Sequence, residues 1–441
     1  MDVIYIGVIC IALLLLFIGL GVPVGVSFIV SGLISTALIL DLSRGLSLLI
    51  GSAYSSIATP SWVAIPLFIL LGGLAVEANM AKKAFKSADA LTSGMPGSVG
   101  IATSFASAGF GAISGSSLAA TSIFGKMALP EMRRLGYDKK FGAGIIASAG
   151  TFASMIPPSM MFIIYALFTS TSVASLFFAG IIPGILSATV FAIYIYFKVK
   201  LNPEMLAKQK AENQYKLNSR ERLKEILQIW PILLVAFTLL GGIYTGILTP
   251  TESAAFGCVI VVIIGFSQGY FRSVDSFTNA LKDSANTTSM VFLINIGALF
   301  YAKVLTLSQL PNIITNYFVN LSVPPMVIIT IICIIFFLLG MIMVPIGIYA
   351  MILPIVAPIV SGLGYDLIWF GVITMKLVEI GAVTPPVGLN VFALKGVTPK
   401  DISTTDIFRG VTPFIILDII ILIFLIMIPS LSLWLPELLF K

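Results

Sequence analysis

The sequence predicts an all-α polytopic membrane protein, built as an inverted-topology repeat with two re-entrant helical hairpins and broken helices. The first observation behind this prediction is composition: 58% of the 441 residues are hydrophobic, 10% are charged, and the mean hydropathy is +1.08. This composition excludes a soluble globular class and requires many helices of the length that crosses a bilayer. The second observation is a pattern that occurs twice along the chain.

The repeated pattern keeps one register over about thirty residues. Leu-Gly-Tyr-Asp occurs at 135–138 and again at 363–366. The offset between these two copies, called the repeat offset below, also carries Pro130 onto Pro358 and Pro157-Pro158 onto Pro385-Pro386. Three landmarks in a single register indicate a duplicated unit.

The two copies of the pattern lie on opposite charge backgrounds. The first copy lies between Arg133-Arg134 and Lys139-Lys140, whereas the second lies in a stretch without Lys or Arg between Lys303 and Lys376. Cytoplasmic loops are enriched in Lys and Arg, so the two copies are predicted to face opposite sides of the membrane. An inverted repeat with Pro and Gly breaks at matching positions is typical of secondary transporters.

The remaining composition excludes several other classes of function. The chain has no histidine, and its three cysteines are scattered through apolar runs. Haem, zinc, histidine-based proton transfer and a disulfide framework are therefore not expected. The net charge of +6 fits cytoplasmic loop bias better than nucleic-acid binding. We expect no cofactor and no enzyme activity.

Residues 1–197 form the predicted first repeat. Crossing helices are expected near 3–20, 22–40, 61–80, 141–168 and 175–197, the fourth of them broken, with a hairpin near 97–130. This hairpin has cations at both ends, which places both ends in the cytoplasm. Residues 198–226 form a polar segment with eight basic and four acidic residues, interpreted as a partly helical cytoplasmic linker. A regulatory or lipid-binding role for it is the alternative.

Residues 227–441 form the predicted second repeat, which begins inverted because five crossings precede the linker. Helices are expected near 228–248, 252–268, 286–304 and 411–434, with a hairpin near 326–359 and a broken helix near 366–395. Both termini then face outward, and of 25 basic residues only Arg44 and Lys441 lie in outer segments. Leu46–Ile57 and Phe271–Asn286 are interpreted as interfacial connecting helices.

The first hairpin has a tip suited to cation binding. Gly and Ser cluster from Gly109 to Ser117, and three hydroxyls, those of Ser114, Ser116 and Ser117, lie at the expected tip. Gly and consecutive Ser weaken a helix, and the carbonyls and hydroxyls that a break leaves free at membrane depth coordinate cations. The alternative is that these small residues only allow close helix packing.

The two broken helices carry the second part of the predicted site. Pro157-Pro158 removes two amide donors and frees carbonyls near Thr151 and Ser154, and Pro385-Pro386 does the same in the second half. Hard cations prefer such oxygen atoms, and the half-helix after Pro386 favours an anion at its N-terminus. The sequence therefore predicts two cation sites around a central anion site. Simple proline kinks are the alternative.

Charged residues within predicted crossings mark function by default. Lys376 and Glu379 are three residues apart, so they either pair with each other or contact a cation or an anionic substrate. Lys303 lies near a helix end, where its side chain extends to the interface. A helix is predicted to begin at Thr249-Pro250-Thr251-Glu252, with Thr249 or Thr251 as the cap. A role of this segment in docking a partner is the less favoured interpretation.

Taken together, the motifs resemble the large membrane (DctM-type) subunit of tripartite ATP-independent periplasmic (TRAP) transporters, over nearly the whole chain. The motifs are Ser114-Gly115-Ser116-Ser117 with Ala119, Ala128-Leu129-Pro130-Glu131-Met132, Ile156-Pro157-Pro158-Ser159, Thr249-Pro250-Thr251-Glu252-Ser253-Ala254-Ala255, and Glu379-Ile380-Gly381 through Thr384-Pro385-Pro386-Val387-Gly388-Leu389-Asn390. The resemblance implies an elevator-type importer of the bacterial inner membrane, with sodium as coupling ion and no other cofactor. It also implies a periplasmic binding protein that delivers an organic acid anion, and a small four-helix membrane subunit, here expected as a separate polypeptide.

The resemblance also assigns roles to residues. One sodium is assigned to Ser114, Ser116, Ser117, Gly150 and Thr151, and the other to Val344, Gly381 and Thr384. From the residues themselves, substrate binding is predicted at Ser154, Pro157, Pro158, Ser159, Lys376, Glu379, Pro385, Pro386 and Asn390. The second hairpin departs from symmetry, because Met341–Gly347 has no hydroxyl and offers only carbonyls.

Three alternatives to this function remain at the level of sequence. One is a stand-alone sodium- or proton-coupled carboxylate transporter that needs no binding protein. Another is an intramembrane enzyme, or the membrane subunit of a sodium-pumping decarboxylase. This is disfavoured because the apolar runs contain no Ser/His, metal-ligand or paired-carboxylate constellation. The third is a channel, although two inverted hairpins favour alternating access.

Overall fold

The computed structural model describes residues 3–202, 204, 218–271 and 274–440, which are largely helical. In chain order, with one 3₁₀ turn at Pro60–Val63, the helices are α1 (Val3–Gly19), α2 (Val24–Ile39), α3 (Leu42–Ala58), α4 (Ala64–Glu77), α5 (Met80–Thr92), α6 (Ser98–Ser114), α7 (Ser117–Arg134), α8 (Lys139–Ala149), α9 (Phe152–Met155), α10 (Met160–Thr169), α11 (Val173–Leu201), α12 (Ser219–Leu227), α13 (Trp230–Tyr244), α14 (Pro250–Ser267), α15 (Val274–Leu307), α16 (Leu310–Val319), α17 (Pro325–Gly340), α18 (Pro345–Gly362), α19 (Leu367–Gly381), α20 (Leu389–Lys395), α21 (Thr404–Met427) and α22 (Ser430–Phe440).

The helix bounds repeat with the offset found in the sequence. The repeat offset carries both the first and the last residue of α7 onto those of α18, and it carries the first residue of α8 onto that of α19. Helices α1, α2 and α5 correspond in the same way to α13, α14 and α16, within a few residues at each end. The order and length of these helices therefore follow the same offset as the repeated sequence pattern.

Matching residues begin matching helices. The carboxylate of Asp138 accepts hydrogen bonds from the backbone N–H groups of Lys140 and Phe141 at the start of α8. Asp366 caps α19 in the same way. These are N-caps, in which a side-chain oxygen satisfies amide groups that a first helical turn leaves without partners. Thr249 caps α14 and Glu252 completes a capping box, as the sequence predicts.

The helices are interrupted at both predicted hairpin tips and at both predicted breaks. Helices α6 and α7 are separated by Gly115 and Ser116, and Gly115 has a φ of +58°, which glycine adopts at little cost. Helices α17 and α18 are separated by residues 341–344. Pro157-Pro158 lies between α9 and α10, and Pro385-Pro386 lies between α19 and α20.

Two predicted elements differ in the structure. Residues 274–286 are not a separate interfacial helix, because they form the first part of the 34-residue helix α15. No Pro or Gly lies between Val274 and Gly297 to end the helix, whereas Pro60 ends the corresponding α3 in the first half. The last predicted crossing, near 411–434, is α21 followed by a separate α22, with Pro429 at the break. Most of the predicted linker, residues 203 and 205–217, lies outside the described residues.

Seven helices among the described residues are long and apolar enough to cross a membrane. The bent pair Lys139–Met155 and Met160–Thr169, with an angle of 47° between its parts, adds an eighth if it counts as one span. The number of helices long enough to cross a membrane is smaller than the sequence predicts. The reason is that α1 and α2 have only 17 and 16 residues and that α19 ends before the break at Pro385.

The helices pack in two groups. In one, α15 packs along α2 and contacts α3 and α4, while α14 packs between α4 and α13. In the other, the hairpin helices α6, α7, α17 and α18 pack on the broken helices, α6 also packs on α11, and α21 packs on the broken helices and on α11. Helices α5 and α16 lie between the groups, with α5 against α6 and α16 against α18. This arrangement positions the candidate site within the second group.

Candidate functional site

A cavity of about 80 Å³ lies where both hairpin tips meet both broken helices. Its lining is Gly115, Ser116, Ser117 and Leu118 from the first tip, Ser154, Met160 and Met161 from the first broken helix, Pro345 from the second hairpin, and Glu379, Ala382, Leu389 and Asn390 from the second broken helix. Segments far apart in sequence thus form one small chamber, called the chamber below, whose mostly apolar lining includes several polar side chains.

Two polar side chains in this chamber lack partners. Glu379 is 1% exposed and Asn390 is 0% exposed, and neither makes a side-chain hydrogen bond to any described residue. The Ser154 and Ser117 side chains lie beside the Glu379 carboxylate. Buried polar groups without partners are rare and point to a bound ion, water or ligand.

The first predicted cation set is brought together at the first hairpin tip. The Ser117 backbone N–H donates to Ser154 Oγ at 3.1 Å, which joins the tip to the broken helix. Gly150 lies against the same tip: a Cβ added there would be 3.1 Å from the Ser117 carbonyl oxygen and would overlap Thr121 Oγ1. Thr121 is fully buried, and its hydroxyl has no partner among the described residues. Thr121 was missed from the sequence because it lies one turn beyond the tip.

The other members of the first set hold the local backbone. Ser116 Oγ accepts from the Ala119 N–H at 3.3 Å and caps α7. Thr151 Oγ1 donates to the Ser148 carbonyl at 2.7 Å. The Ser114 hydroxyl is buried and unpartnered within the described part of the chain, so it remains free to coordinate an ion.

The second predicted set is poorer in hydroxyls, as the sequence indicates. A Cβ at Gly381 would overlap the carbonyl carbon of Gly340, so backbone touches backbone here. Thr384 Oγ1 donates to the Ile380 carbonyl at 2.6 Å. Val344 precedes α18 without a side-chain cap. Backbone carbonyl oxygens are thus the main possible ligands at the second predicted cation set.

The predicted proline residues shape the chamber without lining it. The Pro158 carbonyl oxygen lies against Gly115, where an added Cβ would be 2.9 Å away. Ser159 Oγ accepts from the Phe162 N–H and caps α10. Neither these residues nor Pro157, Pro385 and Pro386 belong to the cavity lining.

Lys376 does not pair with Glu379, which corrects one of the two interpretations drawn from their spacing. Its Nζ forms an ion pair with Asp418 of α21 and donates to Ser187 Oγ of α11 at 2.9 Å. Lys376 does not line the chamber. Asp418 is the only charged residue between Arg409 and Glu437, a signal that sequence reading could have used.

A second cavity, a crevice of about 200 Å³, adjoins the first. Its wall on the first helix group includes Gly72, Asp283 and Thr287, and its wall on the second group includes Ser114. Ser116 and Met160 line both cavities. The crevice therefore connects the chamber wall with the space between the two helix groups.

The groups around the chamber that could bind a ligand are oxygen atoms. Among the described residues, no group of three or more His, Cys, Asp or Glu side chains could hold a metal ion. Hydroxyls, carbonyls, one carboxylate and one amide surround the chamber, and such neutral and anionic oxygen atoms suit alkali cations.

Comparison with known proteins gives a consistent result. The profile of the family described as "Tripartite ATP-independent periplasmic transporter, DctM component" matches residues 11–431. The C4-dicarboxylate TRAP transporter large permease protein DctM of Pseudomonas aeruginosa is 33% identical over 375 residues, which cover 85% of this chain and 86% of that protein. The sialic acid TRAP transporter large permease protein SiaM of Vibrio cholerae is 30% identical over 418 residues, 95% of each chain.

The fold is also similar to a solved transporter structure. The YdaH transporter of Alcanivorax borkumensis superposes with a TM-score of 0.60 over 90% of each chain, at 13% sequence identity. At this identity the likeness concerns the fold alone.

Proposed function

Because the chain belongs to the DctM component family of tripartite ATP-independent periplasmic transporters, we propose that it imports an organic acid anion across the bacterial inner membrane together with sodium. Members of this family are multi-pass membrane transporter components, so the protein is not an enzyme. The observation that carries the proposal is the chamber at which both hairpin tips and both broken helices meet. Sodium is the coupling ion, and no other cofactor is required.

The proposed partners are those of a tripartite system. A small four-helix membrane subunit binds this chain, and a periplasmic binding protein delivers the substrate. The relatives named for C4-dicarboxylate and for sialic acid make acids of these two kinds the first cargoes to test. The proposal includes an inner-membrane location with both termini in the periplasm.

The proposed architecture is an inverted repeat, with residues 1–197 and 227–441 as its halves and 198–226 as the cytoplasmic linker. The repeated helix bounds support the duplication, and the opposite charge backgrounds of the two Leu-Gly-Tyr-Asp copies support the inversion. The hairpin of each half then enters the membrane from its own side.

The proposed movement is that of an elevator. The hairpins and broken helices form the moving body, which travels against helices of the first group. We also include α11 and α21 in the moving body. The buried contact of Lys376 with Asp418 and Ser187 supports this inclusion, because it joins α19 to both helices.

We assign one sodium ion to the residues at each hairpin tip. Ser114, Ser116, Ser117, Gly150 and Thr151 bind one sodium ion, and Val344, Gly381 and Thr384 bind the other. The anion occupies the chamber between them, near Ser154 and Asn390. Sodium binding orders both tips and so raises affinity for the anion, and by linkage the anion raises affinity for sodium.

The test is uptake into proteoliposomes that hold this chain and its small membrane partner. Binding proteins loaded with a labelled C4-dicarboxylate or sialic acid are added under an inward sodium gradient. Uptake that requires both sodium and the binding protein is expected. Uptake without the binding protein would favour a stand-alone carboxylate carrier, and uptake that ignores the sodium gradient would overturn sodium coupling.

A further inference from the structure

In its ionised form, Glu379 would have no paired cation among the described residues. It is buried in the chamber, both carboxylate oxygens lack hydrogen-bond partners among the described residues, and no Lys or Arg lines the chamber. The adjoining crevice has one charged lining residue, Asp283, which is also acidic. A buried carboxylate without a partner is unstable in its charged form unless it gains a cation or a proton.

The neighbouring charges do not supply that compensation. Lys376, one turn away on the same helix, is already paired with Asp418 and hydrogen-bonded to Ser187. The other titratable groups that face Glu379 are Asp418 itself and Tyr349 of α18. Neither of these adds positive charge. The three charged residues of this region, Lys376, Asp418 and Glu379, therefore leave one net negative charge inside the protein.

That negative charge would repel the proposed organic acid anion. The chamber of about 80 Å³ is small enough that a carboxylate group within it would lie close to Glu379. Two like unit charges about 4 Å apart, at an effective dielectric constant of about 20, repel enough to lower affinity roughly a thousandfold. An anion therefore enters readily only after Glu379 has been neutralised.

We propose that the Glu379 carboxylate binds one sodium ion, and that this uptake is required for anion binding in the same chamber. The Ser117 and Ser154 hydroxyls and the Asn390 amide oxygen line the same cavity and complete the oxygen shell of the ion. This step is additional to the two tip sites, and it rests on the proposed function.

The two halves of the site differ at the position of Glu379, where the second half has a carboxylate and the first half has a hydroxyl. By the repeat offset, Glu379 corresponds to Thr151, whose hydroxyl is committed to the Ser148 carbonyl. One half of the site is therefore neutral and the other half carries a charge. Because the Glu379 carboxylate repels an anion until a cation neutralises it, this charge couples cation uptake to anion uptake.

The experiment compares Glu379→Gln with the wild-type chain in proteoliposomes with the small partner and binding protein. Glutamine keeps the shape of the side chain and removes the charge. Uptake is measured against sodium concentration at one fixed pH. The Hill coefficient for sodium is expected to fall by about one in the variant.

Asp283→Asn is the matched control, because it removes an acidic charge from the crevice without touching the chamber. It is expected to leave the sodium dependence as in the wild type. Glu379→Asp retains the charge and is expected to keep the sodium requirement, which separates the loss of charge from a loss of folding. The proposal is overturned if Glu379→Gln shows the sodium dependence of the wild type.

The two proposals fail in different ways. A wild-type chain without sodium-dependent uptake would overturn the proposed function itself. A wild type with sodium-dependent uptake and an unchanged Glu379→Gln would overturn only the role of Glu379. If Glu379→Gln gives no uptake, sodium binding to the purified variant is measured by thermal shift. A wild-type response to sodium in that measurement would overturn the proposal, and a weaker response to sodium would support it.

Discussion

At the scale of single residues, the pairing of Lys376 with Asp418 is the strongest constraint on the second helix group. Both side chains are 2% exposed. When one member of a buried ion pair is removed, the other is left as an unpaired buried charge, which typically costs about 3–5 kcal/mol. The pair therefore holds α19, and with it Glu379, in a fixed position relative to α21.

We expect Lys376→Met to lower the thermal stability of the purified protein severely, by about 3–5 kcal/mol, because Asp418 stays buried without its partner. Lys376→Met combined with Asp418→Leu is expected to recover most of the loss. The measurement is unfolding in detergent as a function of temperature. Arg133→Ala is the control, since it breaks an exposed pair with Asp401, and exposed pairs contribute about 0–1 kcal/mol. Equal losses in the two single variants would contradict the expectation.

At the scale of elements, each hairpin touches its broken helix through a position that tolerates no side chain. A Cβ at Gly111 of α6 would overlap the Cα atom of Ala153, and a Cβ at Gly381 of α19 would overlap the carbonyl carbon of Gly340. By the repeat offset, Ala153 corresponds to Gly381, and Gly111 is adjacent to the counterpart of Gly340. The same close contact therefore occurs in both halves.

We expect Gly111→Ala to displace the first hairpin from its broken helix, to reduce stability by about 1–3 kcal/mol through overpacking, and to impair uptake. Gly109→Ala in the same helix is the control, because nothing lies within 4 Å of a Cβ added there. Alanine at an open helical position is neutral or gains up to about 1 kcal/mol. Stability and uptake are measured for both variants, and a Gly111→Ala variant that matches Gly109→Ala would refute the close contact.

The elements that the sequence predicted correctly are those with local signals. Both hairpin tips and both breaks carry Gly, Ser or paired Pro, which interrupt a helix whatever surrounds them. The partner of Lys376 was not predictable from spacing, since Asp418 is 42 residues away and reaches Lys376 only through helix packing. The polar composition of residues 271–286 was misleading, because a helix continues through polar residues when no Pro or Gly ends it.

At the scale of the whole molecule, the first hairpin is attached to a well-anchored helix. Lys83 of α5 donates to the Gln268 side chain at the end of α14, and burial lowers the pKa of Lys83. Arg222 of α12 donates to the Ala90 and Leu91 carbonyls at 2.8 and 3.0 Å, at the end of α5. Helix α5 is thus fixed to the first helix group and to the end of the linker region.

The connection between α5 and α6 is the natural hinge in this arrangement. Gly94 and Gly97 there have φ values of +89° and +76°, conformations that glycine adopts without strain. A short connection of this kind absorbs the backbone rotations of a moving body while α5 stays in place. The proposed elevator therefore requires the second helix group to slide past α2 and α15.

That requirement is tested by joining α2 to α18. A Cβ at Gly347 of α18 would lie 3.2 Å from Val24 Cγ1 of α2, so Val24→Cys and Gly347→Cys are close enough to form a disulfide. In a chain from which Cys10, Cys258 and Cys333 have been removed, we expect oxidation of this pair to stop uptake and reduction to restore it. A disulfide between the helix groups prevents sliding without altering the chamber chemistry.

The control disulfide lies within the first helix group. A Cβ at Gly45 of α3 would lie 3.3 Å from the Thr36 Cβ of α2, so Thr36→Cys and Gly45→Cys form a comparable pair. Its oxidation is expected to leave uptake unchanged, because both residues belong to the proposed scaffold. Undiminished uptake in a fully oxidised Val24→Cys, Gly347→Cys chain, with the disulfide verified by mass spectrometry, would rule out sliding at this boundary. Loss of uptake in both oxidised pairs would instead indicate that the scaffold itself must move.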